Sequence, residues 1–357
     1  MENATTYNDT GIYSYPETII FDKYVTIAIL IIGVPSNILS LIIWMQKRMR
    51  NSSGYYLAAL AANDLIFLFL MQVFEVNEIW QTAKPLSIPV ICELFPIVYL
   101  TLQALSPCLV LAFTTERYIS ICHPFKREEL CTIRRAKIVM LSLTFACFAL
   151  TAVHGYFWTF DEVCMLRDGI HNVFRIYQML FEAIAFFFVP MMILVLNVLV
   201  ICEMRRVSRM EPTQFQGGPS QRTGATTVML LAVSFYQIFT TLPISVVYGY
   251  LKYIPKTTPP DGTTSRMDLD LVIVIVKEYG ITHYAFNFII YMITGKMFRQ
   301  EMRRLFVRPF TKLASGPFRE YSTLSTSARG CSKHKTWVSA NGANTDKEKN
   351  PTNETLL

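Results

Sequence analysis

Residues 55–76 read YYLAALAANDLIFLFLMQVFEV. As a helix rising about 1.5 Å per residue, this stretch reaches across a hydrocarbon core of roughly 30 Å. Its polar residues are few, and one of them, Asp64, sits mid-way along an otherwise apolar run. Six further apolar blocks lie near 23–45, 89–122, 135–156, 173–204, 224–250 and 269–294. Together they predict an all-α membrane protein, a seven-transmembrane helix bundle. Of the 357 residues 52% are hydrophobic and only 17% charged, whereas soluble domains run to about 25% charged. The mean hydropathy is +0.34. A soluble enzyme, a disordered chain and a secreted disulfide mini-domain are excluded.

The formal net charge of +7 is an orientation signal rather than a nucleic-acid surface. With connecting segments assigned alternately to two sides, one side collects Lys47, Arg48 and Arg50, then Arg117, Lys126, Arg127, Arg134, Arg135 and Lys137. It also takes Arg205, Arg206, Arg209, Arg222 and every basic residue after 295; eight of the 33 Lys and Arg fall elsewhere. The positive-inside rule makes that side cytoplasmic and puts the N-terminus outside, as expected of a multi-pass protein of the plasma membrane. Residues 1–22 then form an extracellular N-terminus without the basic stretch and apolar run of a cleavable signal peptide. Within it, Asn3 and Asn8 head glycosylation sequons. Asn51 and Asn353 head the same pattern on the inside and are expected to stay unmodified.

Of eight Cys, only Cys92 and Cys164 fall outside the cytoplasm and the deep membrane. The oxidising exterior predicts a bridge between them, pinning the loop after the fourth span over the mouth of the bundle. After the seventh span, KMFRQEMRRLF (296–306) places Met297, Phe298, Met302, Leu305 and Phe306 at helical spacing with arginines opposite. That pattern suits a short eighth helix in the membrane interface. Residues 23–306 thus form the membrane domain, and 307–357 a cytoplasmic tail with the composition of a disordered segment. No Gly-rich phosphate loop and no metal-spaced Cys/His set is visible, so no enzyme chemistry and no cofactor are expected. No repeat relates the two halves, which counts against a transporter.

Ionisable groups inside spans are costly and mark function by default. Asn37 lies in the first span and Asp64 in the second; Glu116-Arg117-Tyr118 ends the third and precedes Pro124-Phe125. Pro190 and Pro243 interrupt the fifth and sixth, and Asn287-Phe288-Ile289-Ile290-Tyr291 closes the seventh. In this order and at these depths they resemble the rhodopsin-like (class A) G-protein-coupled receptors, over residues 23–306. The stretches SNILSLIIW (36–44), FFVPMMILVLNVL (187–199) and NFIIYMITGKMFR (287–299) look most like invertebrate FMRFamide-type neuropeptide receptors. There are departures: Thr241 stands where the sixth-span Trp is usual, and Phe288 replaces the Pro of the seventh-span motif.

The resemblance implies an extracellular ligand, a heterotrimeric G protein inside the cell, and the surrounding lipid as partners. Arg117 would be neutralised at rest by Glu116 and freed for the G protein on activation, with Tyr118 and Pro124 in the same element. Phe125 would be the apolar knob for that partner. Pro243, Asn287 and Tyr291 would belong to the switch. A sodium ion held by Asp64, Ser106 and Asn287 is also implied; the competing reading is a hydrogen-bonded, protonated Asp64. Glu75, Glu182 and Glu278, with Lys277, Tyr99, Gln103 and Tyr248, form a carboxylate and aromatic cluster suited to a guanidinium beside an amidated peptide end. The competing reading pairs Glu278 with Lys277 or Arg175, away from any ligand. The run Tyr321–Ser327 is a phosphorylation candidate for a receptor kinase, and phosphates there would suit an arrestin. A transporter or channel, and a non-signalling decoy, stay open as alternatives.

Overall fold

The apolar blocks become helices whose ends follow local chemistry. In the computed structural model, residues 16–82, 84–86, 88–210, 219–253 and 263–314 are described, with the backbone alone for 208, 210, 219–226, 248–253, 263–270 and 307–314. The helices are α1 (Pro16–Trp44), α2 (Ser52–Glu78), α3 (Pro89–Cys122), α4 (Pro124–Leu130), α5 (Ile133–Thr151), α6 (His154–Phe157) and α7 (His171–Ala183). There follow α8 (Val189–Met210), α9 (Pro219–Tyr253), α10 (Thr263–Thr294) and α11 (Lys296–Ala314). Asn51, with extended backbone, caps α2 by accepting the Gly54 N–H at 2.7 Å. Thr132 does the same for α5 through the Arg135 N–H. Pro89 and Pro124 open α3 and α4, where a missing N–H costs nothing.

Between α7 and α8 the chain makes one wide turn, Ile184–Phe188, of π type, closed by the Val189 N–H on the Ile184 carbonyl. A short antiparallel hairpin, β1 (Trp158–Asp161) with β2 (Val163–Leu166), pairs Phe160 with Cys164. The Cys92–Cys164 disulfide fastens this hairpin to the start of α3, with Cα atoms 5.5 Å apart.

Packing follows the chain: α1 lies against α2 and α10, α9 against α10 and α8, and α3 touches α2, α5, α8 and α9. Gly33 makes the α1 contact close. A Cβ there would stand 2.7 Å from Leu68 Cδ1 and 3.0 Å from Ala285 Cβ. Leu57, Leu60, Leu109, Phe113, Ile193 and Val233 form the apolar core around α3. Among the described residues six helical stretches are long and apolar enough to cross a membrane. The seventh, α10, falls outside that set because it carries Lys277, Glu278, His283 and Asn287.

Two extents differ from the sequence reading. Helix α1 starts at Pro16, inside the segment assigned to the outer N-terminus, because Thr18, Asp22 and Thr26 are buried in helical register. Helix α11 runs to Ala314, beyond the expected residue 306. The chain divides into two compact units, Met1–Arg304 and Leu305–Leu357. Asn3, Asn8 and the run 321–327 lie outside the described residues.

Candidate functional site

A cavity of about 200 Å³ opens at the hairpin end of the bundle. Its wall takes Glu75 from α2, Tyr99 and Gln103 from α3, Gln178 and Glu182 from α7, Thr241 from α9, and Lys277 from α10. Five of the residues singled out for ligand binding are thus brought together: Glu75, Tyr99, Gln103, Glu182 and Lys277. Glu278 is not on that wall, and the Tyr248 side chain lies outside the described residues. Tyr99 is held by Phe67, Phe74 and Phe95, with ring centroids 5.1, 6.0 and 5.6 Å away. The floor adds Tyr284, stacked on Phe67 at 4.0 Å.

One side of the cavity is an ion cluster. Lys277 Nζ lies 2.7 Å from Asp22 Oδ1, 3.1 Å from Glu75 Oε1 and 3.3 Å from Glu278 Oε1. Thr26 donates to Glu278 Oε1 at 3.2 Å. All three carboxylates are buried, and a buried charge persists only when paired and hydrogen-bonded. Three acidic side chains, from α1, α2 and α10, thus converge on the Lys277 ammonium next to the cavity. Asp22 was missed in the sequence because it reads as part of a polar terminus; its only signal is its i, i+4 spacing from Thr18 and Thr26.

Below the cavity Asp64 is fully buried. Asn287 Nδ2 donates to its Oδ2 at 2.9 Å, and Ser106 Oγ to its Oδ1 at 3.4 Å. Among the described residues Asp64 makes no ion pair. A lone buried carboxylate with a hydroxyl and an amide beside it fits either a small monovalent cation or a proton. His283, near by in sequence, turns its Nδ1 to the Gly280 carbonyl instead.

At the opposite end Glu116 Oε1 receives Ser52 Oγ at 2.7 Å and Ser53 Oγ at 2.8 Å, and pairs with Arg117 Nη2 at 3.2 Å. Arg117 Nη2 also donates to Ser53 Oγ. The Asn51-Ser52-Ser53 run therefore serves as a helix cap and a carboxylate cradle. Tyr118 meets His123 edge-on, and Phe125, one residue into α4 after Pro124, is 99% exposed.

Residues 36–291 match the family model described as 7 transmembrane receptor (rhodopsin family). The chain belongs to that family. The receptor's match takes in α10 as far as Tyr291 and supplies the seventh span. It is 30% identical over 168 residues to the thyrotropin-releasing hormone receptor of Homo sapiens, covering 45% of this chain and 41% of that one. It is 26% identical over 310 residues to the FMRFamide receptor of Drosophila melanogaster (79% of this chain, 52% of the other). Neuromedin-U receptor 2 of Mus musculus is 27% identical over 293 residues (78% and 73%). The alignments thus span about two fifths of the thyrotropin-releasing hormone receptors' length and about half of the FMRFamide receptor's.

Thr241 and Phe288, which depart from the family's usual pattern, sit in different settings. Pro243 lies inside α9, and Thr241 reaches the cavity with its hydroxyl unpaired among the described residues. One turn below, the buried Gln237 finds no hydrogen-bond partner for either amide atom among the described residues; nor does Asn197 on α8. At the far end Tyr291 packs on Trp44 and Phe298, with centroids 5.4 and 5.3 Å away. Phe288 meets Phe298 at 5.7 Å, edge to face.

Proposed function

We propose that the chain is a plasma-membrane receptor for an extracellular basic peptide with an amidated end, which drives nucleotide exchange on a heterotrimeric G protein. The observation that carries this reading is the cavity itself. It is an aromatic-walled pocket with Glu75 and Glu182 in its lining, at the end of the bundle held by the disulfide-anchored hairpin. Carboxylates beside aromatic faces recognise a guanidinium and a neighbouring ring. The names of the relatives support this, FMRFamide spelling an Arg-Phe amide. The hairpin end is the extracellular one, with Asn3 and Asn8 glycosylated. The Arg117 end faces the cytoplasm, and α11 lies in the membrane interface.

In the resting state Arg117 is held by Glu116 and the two serines; ligand binding shifts the population toward a packing in which it is free. A sodium ion on Asp64, Ser106 and Asn287 would stabilise the resting packing, supplying the positive charge that the buried carboxylate otherwise lacks. Phosphates on the tail recruit an arrestin. No covalent chemistry is performed.

The test is a neuropeptide library that includes Arg-Phe amides, applied to cells expressing the chain with promiscuous G proteins. Agonist-dependent GTP loading is the expected result. Substrate flux in reconstituted vesicles, without such loading, would favour a transporter instead, and binding without loading a decoy.

A further inference from the structure

Two polar side chains at the floor of the cavity are left unmatched by the helices around them. Thr241 and His283 both line it, and both are more than nine-tenths buried. Among the described residues, Thr241 Oγ1 and His283 Nε2 meet no hydrogen-bond partner. An unmatched polar atom is costly in such a place, and nearly all buried polar groups find a partner of some kind.

The two come from facing helices. Gly280 lets α10 approach α9: a Cβ there would collide with Ile244 and stand 3.5 Å from the Thr240 carbonyl oxygen. Thr241 follows Thr240 on α9, and His283 lies one turn along α10 from Gly280. Beside them, the Tyr236 hydroxyl donates to Thr282 Oγ1 at 2.8 Å and ties the same two helices together. Because Thr241 stands where a Trp is usual, a short side chain with a hydroxyl replaces a broad apolar ring at this depth.

The hydrogens on this pair are constrained. His283 makes no ion pair among the described residues, and a buried ring without an acid beside it is neutral and carries one N–H. Its Nδ1 faces the Gly280 carbonyl, which only accepts, so the hydrogen sits on Nδ1 and Nε2 presents a lone pair. The Thr241 hydroxyl donates or accepts. A primary carboxamide answers both, with an N–H for Nε2 and a carbonyl oxygen for the hydroxyl. A carboxylate has no hydrogen to give Nε2, and its charge would be buried without a counter-ion. Lys277, the cation on the wall among the described residues, is six residues away on α10, about 9 Å. It is already engaged by Asp22, Glu75 and Glu278.

We propose that Thr241 and His283 form a subsite for a primary carboxamide at the cavity floor, the hydroxyl donating to the amide oxygen and Nε2 accepting an amide N–H. That this carboxamide is the end of a basic peptide rests on the function proposed above. The peptide then enters amide first. Two extended residues span about 7 Å, which leaves an arginine next to the amidated residue near Glu75, at the level where Lys277 touches it.

The floor is tested without any basic group by phenylacetamide and phenylacetate, read as the unfolding temperature of the full-length receptor in detergent. The amide is expected to raise it and the acid to leave it unchanged. Thr241→Val should lose the effect of the amide, and Thr241→Ser should keep it. No stabilisation of the wild type by the amide, an equal response to both fragments, or an undiminished response in Thr241→Val overturns the proposal. His283→Phe keeps a ring without the acceptor and should behave as Thr241→Val does; if it does not fold, the two Thr241 variants decide the question.

The peptide is probed with amidated Arg-Phe and its free acid. The affinity ratio of amide to acid is expected to fall about tenfold in Thr241→Val, the order of one hydrogen bond. An unchanged ratio, with both probes weakened alike, would leave the floor to water and overturn the subsite. If phenylacetamide stabilises the receptor and neither dipeptide binds, the basic-peptide reading fails and the carboxamide subsite stands.

Discussion

Lys277 Nζ stands 2.7 Å from Asp22 Oδ1, so a single ammonium on α10 grips α1 while also reaching Glu75 on α2. Removing the ammonium and removing one acid should therefore differ sharply. Lys277→Met takes the shared partner from Asp22, Glu75 and Glu278, and breaking a buried pair in that way costs about 3–5 kcal/mol. Asp22→Asn leaves Lys277 its contacts with Glu75 and Glu278 and should cost less than about 1.5 kcal/mol. Thermal unfolding in detergent checks the order; an Asp22→Asn variant less stable than Lys277→Met would reject the account.

The cradle on Glu116 predicts basal activity. A hydrogen bond to a charged group is worth about 1.5–3 kcal/mol, and about 1.4 kcal/mol is a factor of ten. Glu116→Gln should raise ligand-independent GTP loading about tenfold, and Ser53→Ala, which leaves Ser52 in place, about threefold. No rise in either variant would mean that the cradle does not restrain Arg117.

Phe125 is almost wholly exposed, so Phe125→Ala should leave stability within about 0.5 kcal/mol of wild type. Agonist-driven nucleotide exchange should nevertheless fall steeply, read as the rate of GTP-analogue uptake by added G protein. Unimpaired exchange would remove Phe125 from the coupling surface.

Sodium should stabilise the receptor through Asp64. Replacing choline by sodium chloride is expected to raise the unfolding temperature of the wild type, by up to about 2.7 kcal/mol of stability at a hundredfold excess over Kd. Asp64→Asn should show no difference between the two salts. A wild type equally indifferent would favour the protonated carboxyl.

Gln237 offers a gain rather than a loss. A buried amide without partners costs about 1–3 kcal/mol, and Gln237→Leu keeps the volume while removing both orphaned atoms. The variant should unfold at higher temperature and show lower basal exchange. Lower stability would show that the amide is satisfied in the membrane.

The long apolar blocks made the helices legible, and Pro89 and the His123-Pro124 pair even fixed both ends of α3. Cys92 and Cys164 were legible because topology left no other pair in an oxidising place. What escaped was set by tertiary partners. Asp22 reads as tail until Lys277 stands beside it, and Gln178 reads as a neutral surface amide until His154 and Glu182 close on either side. The strands of the hairpin are four residues each, too short for a period-two pattern to emerge. Glu278 looked equivalent to Glu182 in sequence, yet one helical face turns it into the ion cluster and not the cavity.

The wide turn at Ile184–Phe188 puts one residue more into the fifth span than an unbroken α-helix would hold. Everything before it is therefore rotated against everything after it by about 100°, the arc that one residue subtends. Gln178 and Glu182 share a chamber with Thr241 because of that inserted residue. Deleting Phe187 would swing both away toward lipid while leaving Pro190 and the core contact of Ile193 undisturbed. Any comparison of this span with a straight-helix relative needs a one-residue gap, or it will assign the chamber to the wrong side chains.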